Sequence, residues 1–493
     1  MGLFPPAAEG DRLIFRPETG RKMSQSPPCE RLPALRQETS ERHDMSMAVR
    51  VVRCASGMIA GLLALGFMTG AAAERGRTAE PIVFNPDTSW CWFQDERAII
   101  DHGQLLLAGV SSQGDVTVTA HHLATGKTAV HVLHPRLRAD DHNAPALLVL
   151  PDGRYLAAYS KHGSDRFTRW RISERPGDPS RWQPEQQFEH GAGVTYSNLY
   201  RLAAEGQNGR IYNFIRSYNW DPNFIFSDDH GTSWYSGGRL IASRSSGTRP
   251  YVRYKGNGRD TIHFIATEDH PNRYPTRIYH GYIRGGKAYR SDGTVVNEDI
   301  YRLDAPPAQA FTRVFQGDEK NVAWPCDIEL DGAGNPYIAY SVMKDAVPLP
   351  TGKRGNDHRY RCARWDGTRW HDYEVAYAST RLYPAQPEYT GLIALHPQTR
   401  DLAFISANVD PHSGEPIVVD GQRRYEIFRG ATDDGGRTWR WTAVTSGSAR
   451  HNLRPLVVAH GDTWVLVWLR GEYRSYTDYD QAAVGLIYRG PPK

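Results

Sequence analysis

The sequence predicts an all-β chain folded as a seven-bladed β-propeller with Asp-box turns, and three observations predict it. Seven strand–turn–strand units recur, two Asp-box runs lie roughly 200 residues apart, and no amphipathic helix of twelve or more residues intervenes. The units are IIDHGQLLLAGVSSQGDVTVTA, ALLVLPDGRYLAAYS, RLAAEGQNGRIYNFIRS, VRYKGNGRDTIHFIATE, IELDGAGNPYIAYS, LIALHPQTRDLAFISAN and LVVAHGDTWVLVWLRG, beginning roughly 50 to 75 residues apart. Short strands joined by Gly, Asp and Asn turns need neighbours on both faces, and a radial array closed on itself supplies them without long free edges. A large sandwich is the alternative closed form.

The chain opens outside that pattern. Residues 1–44 lack apolar periodicity and read as a leader, either an over-extended start or a disordered segment. Residues 45–73 read as a signal peptide: Arg50 and Arg53 form its basic region, Gly57 to Met68 its apolar core, and Ala71 to Ala73 a small-residue cleavage site. That core is short for a membrane span and polar residues follow it, so an exported protein, secreted or periplasmic, is expected. Residues 74–493 are expected to form the propeller as a single domain, and a monomer is expected. Nine of the 59 basic and seven of the 55 acidic residues precede residue 74. The remaining near-balance of charge argues against a nucleic-acid partner.

Within the first unit, His121 and His122 alternate across a strand, so one of them could line a groove. The second unit carries more chemistry. LLVLPDGRYLAAYS is a β-hairpin with a Pro-Asp-Gly turn, His142 enters it and His162 leaves it. A tight hairpin brings its outer ends together, which places two histidines 20 residues apart at one end of a sheet, where acid/base chemistry can use them.

SDDHGTSW, from Ser227 to Trp234, and TDDGGRTW, from Thr432 to Trp439, are the Asp boxes. The Asp side chain accepts from turn amides, Gly takes a positive φ, and Trp packs beneath the hairpin. Asp229 and Asp434 are therefore turn-formers rather than catalytic carboxylates. Trp90, Trp92, Trp220 and Tyr218 have the flat faces that sugars stack on, but packing between blades is their expected role. Cys91, Cys326 and Cys362 follow the cleavage site without metal-ligand spacing, and a Cys326 to Cys362 disulfide is one open reading. The Asp-rich loop Thr477 to Asp480 has oxygen ligands for a structural calcium but no twelve-residue calcium-loop pattern, so a metal is left open.

CWFQDERAII (Cys91 to Ile100), DDHNAPAL, TYSNLYRL, RPYVRY, YTGLIALHP, HNLRPLV and WLRGEYRSYTDYD, taken with the Asp boxes, resemble the BNR-repeat family that contains ulvan lyases and related rhamnosyl-glucuronate lyases. The resemblance covers about residues 84–485. It implies a propeller that cleaves a uronic-acid-containing polysaccharide by β-elimination in a groove on one face, at a bond between rhamnose and glucuronate or iduronate. Sulfated and unsulfated rhamnose both remain open.

β-Elimination sets three demands. The uronate carboxylate must be neutralised so that the C5 proton becomes acidic, a base must take that proton, and an acid must protonate the departing C4 oxygen. By the resemblance, His142 and Tyr196 are the catalytic proton-transfer pair, with His142 as base and Tyr196 as acid, roles that exchange with the epimer of the uronate. His162 and Arg216 would bind the carboxylate, the planar guanidinium fork engaging both oxygens, and Tyr251 would form a pocket wall. No cofactor is required. Two other readings stay open. One is a sialidase-like hydrolase, although the Arg-Ile-Pro run usual in that class is missing from the sequence; the other is a glycan-binding propeller without catalysis.

Overall fold

The computed structural model describes residues 80–243, 248–345 and 353–492. The leader and signal segments of residues 1–44 and 45–73 lie outside the described residues. Seven antiparallel sheets follow one another along the chain, and the seven units seen in the sequence hold the first two strands of the seven blades, the first unit reaching into the third strand of its blade as well. Blade 1 is Ala98–Asp101, Gln104–Val110, Val116–His122 and Thr128–His134. Blade 2 is Ala146–Val149, Tyr155–Ser160, Phe167–Arg175 and Gln186–Glu189, with Asp178–Trp182 a fifth strand paired to the third; blade 3 is Leu199–Leu202, Arg210–Arg216, Pro222–Ser227 and Tyr235–Arg239. Blade 4 is enlarged to six strands. Its first three are Val252–Gly256, Thr261–Ala266 and Ile278–Arg284.

Blade 5 runs from Val322–Leu330 through Pro336–Met343 and His358–Trp365 to Trp370–Tyr377. Blade 6 is Ile393–Leu395, Leu402–Ala407, Glu426–Ala431 and Arg440–Ala443, with a small hairpin, Val418–Val419 and Gln422–Arg423, on the connection between its second and third strands. Blade 7 is His451–His460, Thr463–Ser475 and Asp478–Arg489, and the chain's first strand, Ile82–Asn85, completes it by pairing Ile82 with Gly485. The ring is thus closed by strands from opposite ends of the chain.

Antiparallel alternation sorts the loops. Each blade's first strand begins, and its second strand ends, at one end of the propeller; the Asp boxes, between third and fourth strands, lie at the other. There Asp229 accepts from the Ser233 amide at 2.8 Å and Asp434 from the Thr438 amide at 3.0 Å, while Gly231 and Gly436 take φ of 82° and 90°. Both boxes are turn-formers. His121 and His122 also lie at that far end; His121 is buried against Phe84 and bonded to Thr128, so neither histidine lines the groove, which corrects that expectation. Cys326 and Cys362 are buried free thiols. Asp478 and Asp480 pair with Arg474 and Arg450. Among the described residues no helix is long and apolar enough to cross a membrane.

The segment Ser89–Asp95 fills the axis. The Trp90 carbonyl accepts from Arg454 of blade 7, the Trp92 carbonyl from Arg253 of blade 4, and the Phe93 carbonyl from Asn198, just ahead of blade 3, at 3.1 Å. Trp92 Nε1 donates to the Pro325 carbonyl of blade 5 at 3.1 Å, and its ring meets Trp324 and Tyr389 edge-on at 4.9 and 5.1 Å. One peptide thereby ties most of the blades together. Trp92→Ala should destabilise the fold by roughly 3–5 kcal/mol, the cost of emptying a buried aromatic site; the midpoint of denaturant unfolding reads it, and a shift under 1 kcal/mol would show that the plug is not a structural keystone.

Candidate active site

The sequence-predicted residues meet at the end of the propeller remote from the Asp boxes. His142 lies in the 3-10 turn Asp141–Asn143 leading into blade 2, and Asp140 caps that turn by accepting from the His142 amide at 3.1 Å. His162 follows the second strand of blade 2. The hairpin geometry holds: the two imidazoles stack with centroids 3.8 Å apart and planes 9° apart. Both Nδ1 atoms face one carboxylate, His142 to Asp140 Oδ1 at 2.9 Å and His162 to Asp140 Oδ2 at 3.2 Å. Asp140 is the principal residue that the sequence reading missed, although it stands two places before His142 in the quoted run.

Two stacked imidazolium ions would repel, so one proton is favoured over two. Burial opposes charge on His142, but Cys91, Asp141, Tyr196 and Asp140 outweigh it and push its pKa well above the ordinary imidazole value. Burial, and then the charge on His142, hold His162 down to about 4. His162 is therefore neutral at pH 7. With Nδ1–H assigned toward Asp140, its Nε2 is an acceptor, and Arg216 Nη2 lies 3.5 Å from it. The network thus assigns the charge facing the site to Arg216, with His162 orienting it.

Tyr196 and Arg216 are locked together by reciprocal backbone hydrogen bonds between Thr195 and Arg216, each 2.9 Å. Tyr196 takes φ of 69°, a conformation that costs a non-glycine residue on the order of 1–3 kcal/mol and is retained here by those bonds. Its hydroxyl is buried with no hydrogen-bond partner, and burial raises its pKa well above 10 despite Arg216. The Arg216 guanidinium lies 4.8 Å from the Tyr196 ring and 5.2 Å from that of Tyr251, so the structure brings all five predicted residues together.

Residues outside the predicted set complete the setting, among them Trp220, whose expected role is packing between blades. Asp141 Oδ1 lies 2.8 Å from His142 Nδ1, and its Oδ2 accepts from Arg454 at 2.6 Å and Tyr473 at 2.7 Å. Tyr476 stands edge-on to both histidines at 5.2 and 5.3 Å. Trp220, half-buried and also left-handed at φ 62°, lies under two guanidinium groups, Arg216 at 5.7 Å and Arg249 at 4.8 Å. Its indole packs on Gly163, where a Cβ would come within 2.9 Å of the ring and φ is +69°, so the residue after His162 must be glycine. His270, edge-on to Tyr251, is held down to about 3 by burial and by Arg216, Arg249 and Arg273. The Nε atoms of Arg216 and Arg249 are buried without a hydrogen-bond partner. His270 Nε2 lies 3.6 Å from the buried Glu388 carboxyl, but among the described residues no carboxylate pairs with the Arg216 or Arg249 guanidinium, and such a pair of cations is a place for an anion.

Two overlapping groups could share a metal ion: Cys91, Asp141 and His142, or Asp140, His142 and His162. Both draw on His142, so an ion there would compete with proton transfer.

A profile of BNR repeat-containing family members matches residues 105–378. No curated protein sequence matches the chain. A solved PL25 ulvan lyase, bound to -[GlcA(1-4)Rha3S]-, superimposes with a TM-score of 0.60 at 14% identity, over 83% of this chain and 96% of that one. A second structure of a PL25 ulvan lyase gives 0.58 at 14% identity over the same shares. Polysaccharide lyase Uly1 gives 0.50 at 10% identity, over 80% of this chain and 90% of the other. At these identities the likeness is one of fold.

Proposed function

This chain belongs to the BNR repeat-containing family, and from that premise we propose that it is a polysaccharide lyase cleaving a rhamnose–uronate glycan by β-elimination. The observation that carries the reading is the stacked His142–His162 pair on Asp140, set against a buried Arg216 whose Nε and Nη1 are unpartnered. Arg216 takes the uronate carboxylate and His162 orients it, which lowers the cost of negative charge developing at C5. His142 Nε2 takes the C5 proton, the C4–O bond breaks as C4=C5 forms, and the Tyr196 hydroxyl protonates the departing oxygen. Tyr251 walls the pocket. No cofactor enters this chemistry. The glucuronate–rhamnose ligand of the solved ulvan lyase supports the substrate class. Export, cleavage near Ala73 and action as a monomer belong to the same proposal.

The test is ultraviolet absorbance of the protein incubated with ulvan, gum arabic and a sialoglycan. A new absorbance from unsaturated uronate on one of the two uronate polymers is expected. Silence on both, with sialic acid released or glycan bound intact, would replace the lyase with a hydrolase or a binding propeller.

A further inference from the structure

We infer that the pocket between blades 5 and 6 is a distal subsite for an anionic sugar of the same glycan chain. The inference rests on the lyase reading above and adds to it a second place where the substrate is held. The pocket has a volume of 390 Å³, and Asn356, Thr380, Arg381, Leu382, Tyr383 and Arg423 line it. That volume lies in the range of ligand sites.

Its place in the fold is the reason to join it to the reaction centre. Thr380–Tyr383 lie between the last strand of blade 5 and the first of blade 6, the kind of connection that carries Tyr196 and Tyr251 in earlier blades. Asn356 and Arg423 lie between second and third strands, the kind that carries His162. The pocket therefore opens at the same end of the propeller as His142. Tyr383 is the shared wall: it is 7% exposed, and its ring lies 5.8 Å from Tyr473, which donates to Asp141 beside His142. A chain bound at Arg216 can continue across this face.

The lining chemistry specifies the ligand. Arg381, Arg423, Asn356 and Thr380 line the pocket beside Leu382 and Tyr383, and among the described residues no acidic one lines it. Arg381 Nη1 donates to the Arg354 carbonyl at 2.7 Å and to Asn356 Oδ1 at 3.0 Å, so neutral oxygens orient its guanidinium without cancelling its charge. Its remaining N–H groups suit an oxyanion on a sugar whose C–H face rests on Leu382 and Tyr383. A uronate carboxylate and a sulfate ester offer the same chemistry there.

The experiment compares kcat/KM of the full chain on short and long oligosaccharides of the cleaved glycan, for the wild type and the double variant Arg381→Gln/Arg423→Gln. The wild type should favour the long chain about tenfold, the worth of one charge-assisted hydrogen bond. The double variant should bring that ratio close to one, chiefly through KM, while Arg259→Gln, an exposed change at the opposite end, leaves it as it was. Calorimetric binding of carboxyl-reduced and of desulfated long chains to the wild type and the double variant tells which anion is read, since a carboxyl-reduced chain cannot be cleaved. An unchanged ratio in a folded double variant, judged by its melting temperature, would overturn the subsite. A wild type that makes no unsaturated product at any length would instead overturn the lyase reading; calorimetric binding of the uncleaved long oligosaccharide then decides the subsite, which fails if the double variant binds as tightly as the wild type.

Discussion

His142→Ala should lower the rate of unsaturated-uronate formation by ~10³-fold, within the range that a positioned proton-transfer group contributes. The residue is 4% exposed, so the objection is that the variant merely unfolds. The geometry answers it. The turn holding His142 is fixed by backbone and neighbours: the Cys91 amide donates to the Asp141 carbonyl at 3.0 Å, the Asp141 amide to the Tyr476 carbonyl at 2.9 Å, and Gln94 to the His142 carbonyl at 2.6 Å. None of these needs the imidazole. Alanine does remove the stacking partner of His162, and with it the positive charge that helps hold His162 neutral. His162 should therefore titrate closer to an ordinary histidine in the variant. The prediction is checked by kcat on the cleaved polymer together with the melting temperature. A folded variant retaining more than a tenth of the wild-type rate would remove His142 from the chemistry.

The fold was legible where burial imposes a pattern. Leu105–Val110 and Tyr155–Ser160 are buried along their length and read at once as strands. Outer strands such as Thr128–His134 and Gln186–Glu189 are mostly exposed, so nothing constrains their apolar pattern and no signal marks them. The closing strand Ile82–Asn85 has no repeat of its own, and its partner Gly485 lies at the other end of the chain. The site divides the same way. His142 and His162 were paired by one hairpin, and resemblance supplied Tyr196, Arg216 and Tyr251. Asp141 meets Arg454 and Tyr473 across 313 and 332 residues, a contact that only ring closure creates. Trp220 and Arg249 converge through a left-handed turn at Asn219 and Trp220 that composition does not announce.

Asp140→Asn should separate the two histidines in function without removing either. In the wild type, Asp140 and Asp141 both stabilise the proton on His142, with burial opposing them. A base works only when neutral, so the rate should rise with pH through an apparent pKa well above 6.5, giving an alkaline ascending limb. Removing one of the two carboxylates weakens the hold on that proton, and the limb should move toward lower pH. The maximum rate should fall by about 10²-fold, because an amide cannot accept from both Nδ1–H groups as a carboxylate does and the stacked pair loses its alignment. The two changes together are diagnostic. A merely structural defect lowers the rate at every pH without moving the limb, whereas His142 acting as acid would make the wild-type rate fall as pH rises through the same value. A pH profile of kcat for wild type and variant distinguishes all three, and a wild-type rate that declines on the alkaline side assigns the base to Tyr196. In that case Tyr196, once its hydroxyl has lost its proton beside Arg216, takes the C5 proton and the charged His142 gives its own to the leaving oxygen. Exchanged roles of this kind follow from which face of the uronate carries C5–H, so the profile also reports the epimer that the site was built to cleave.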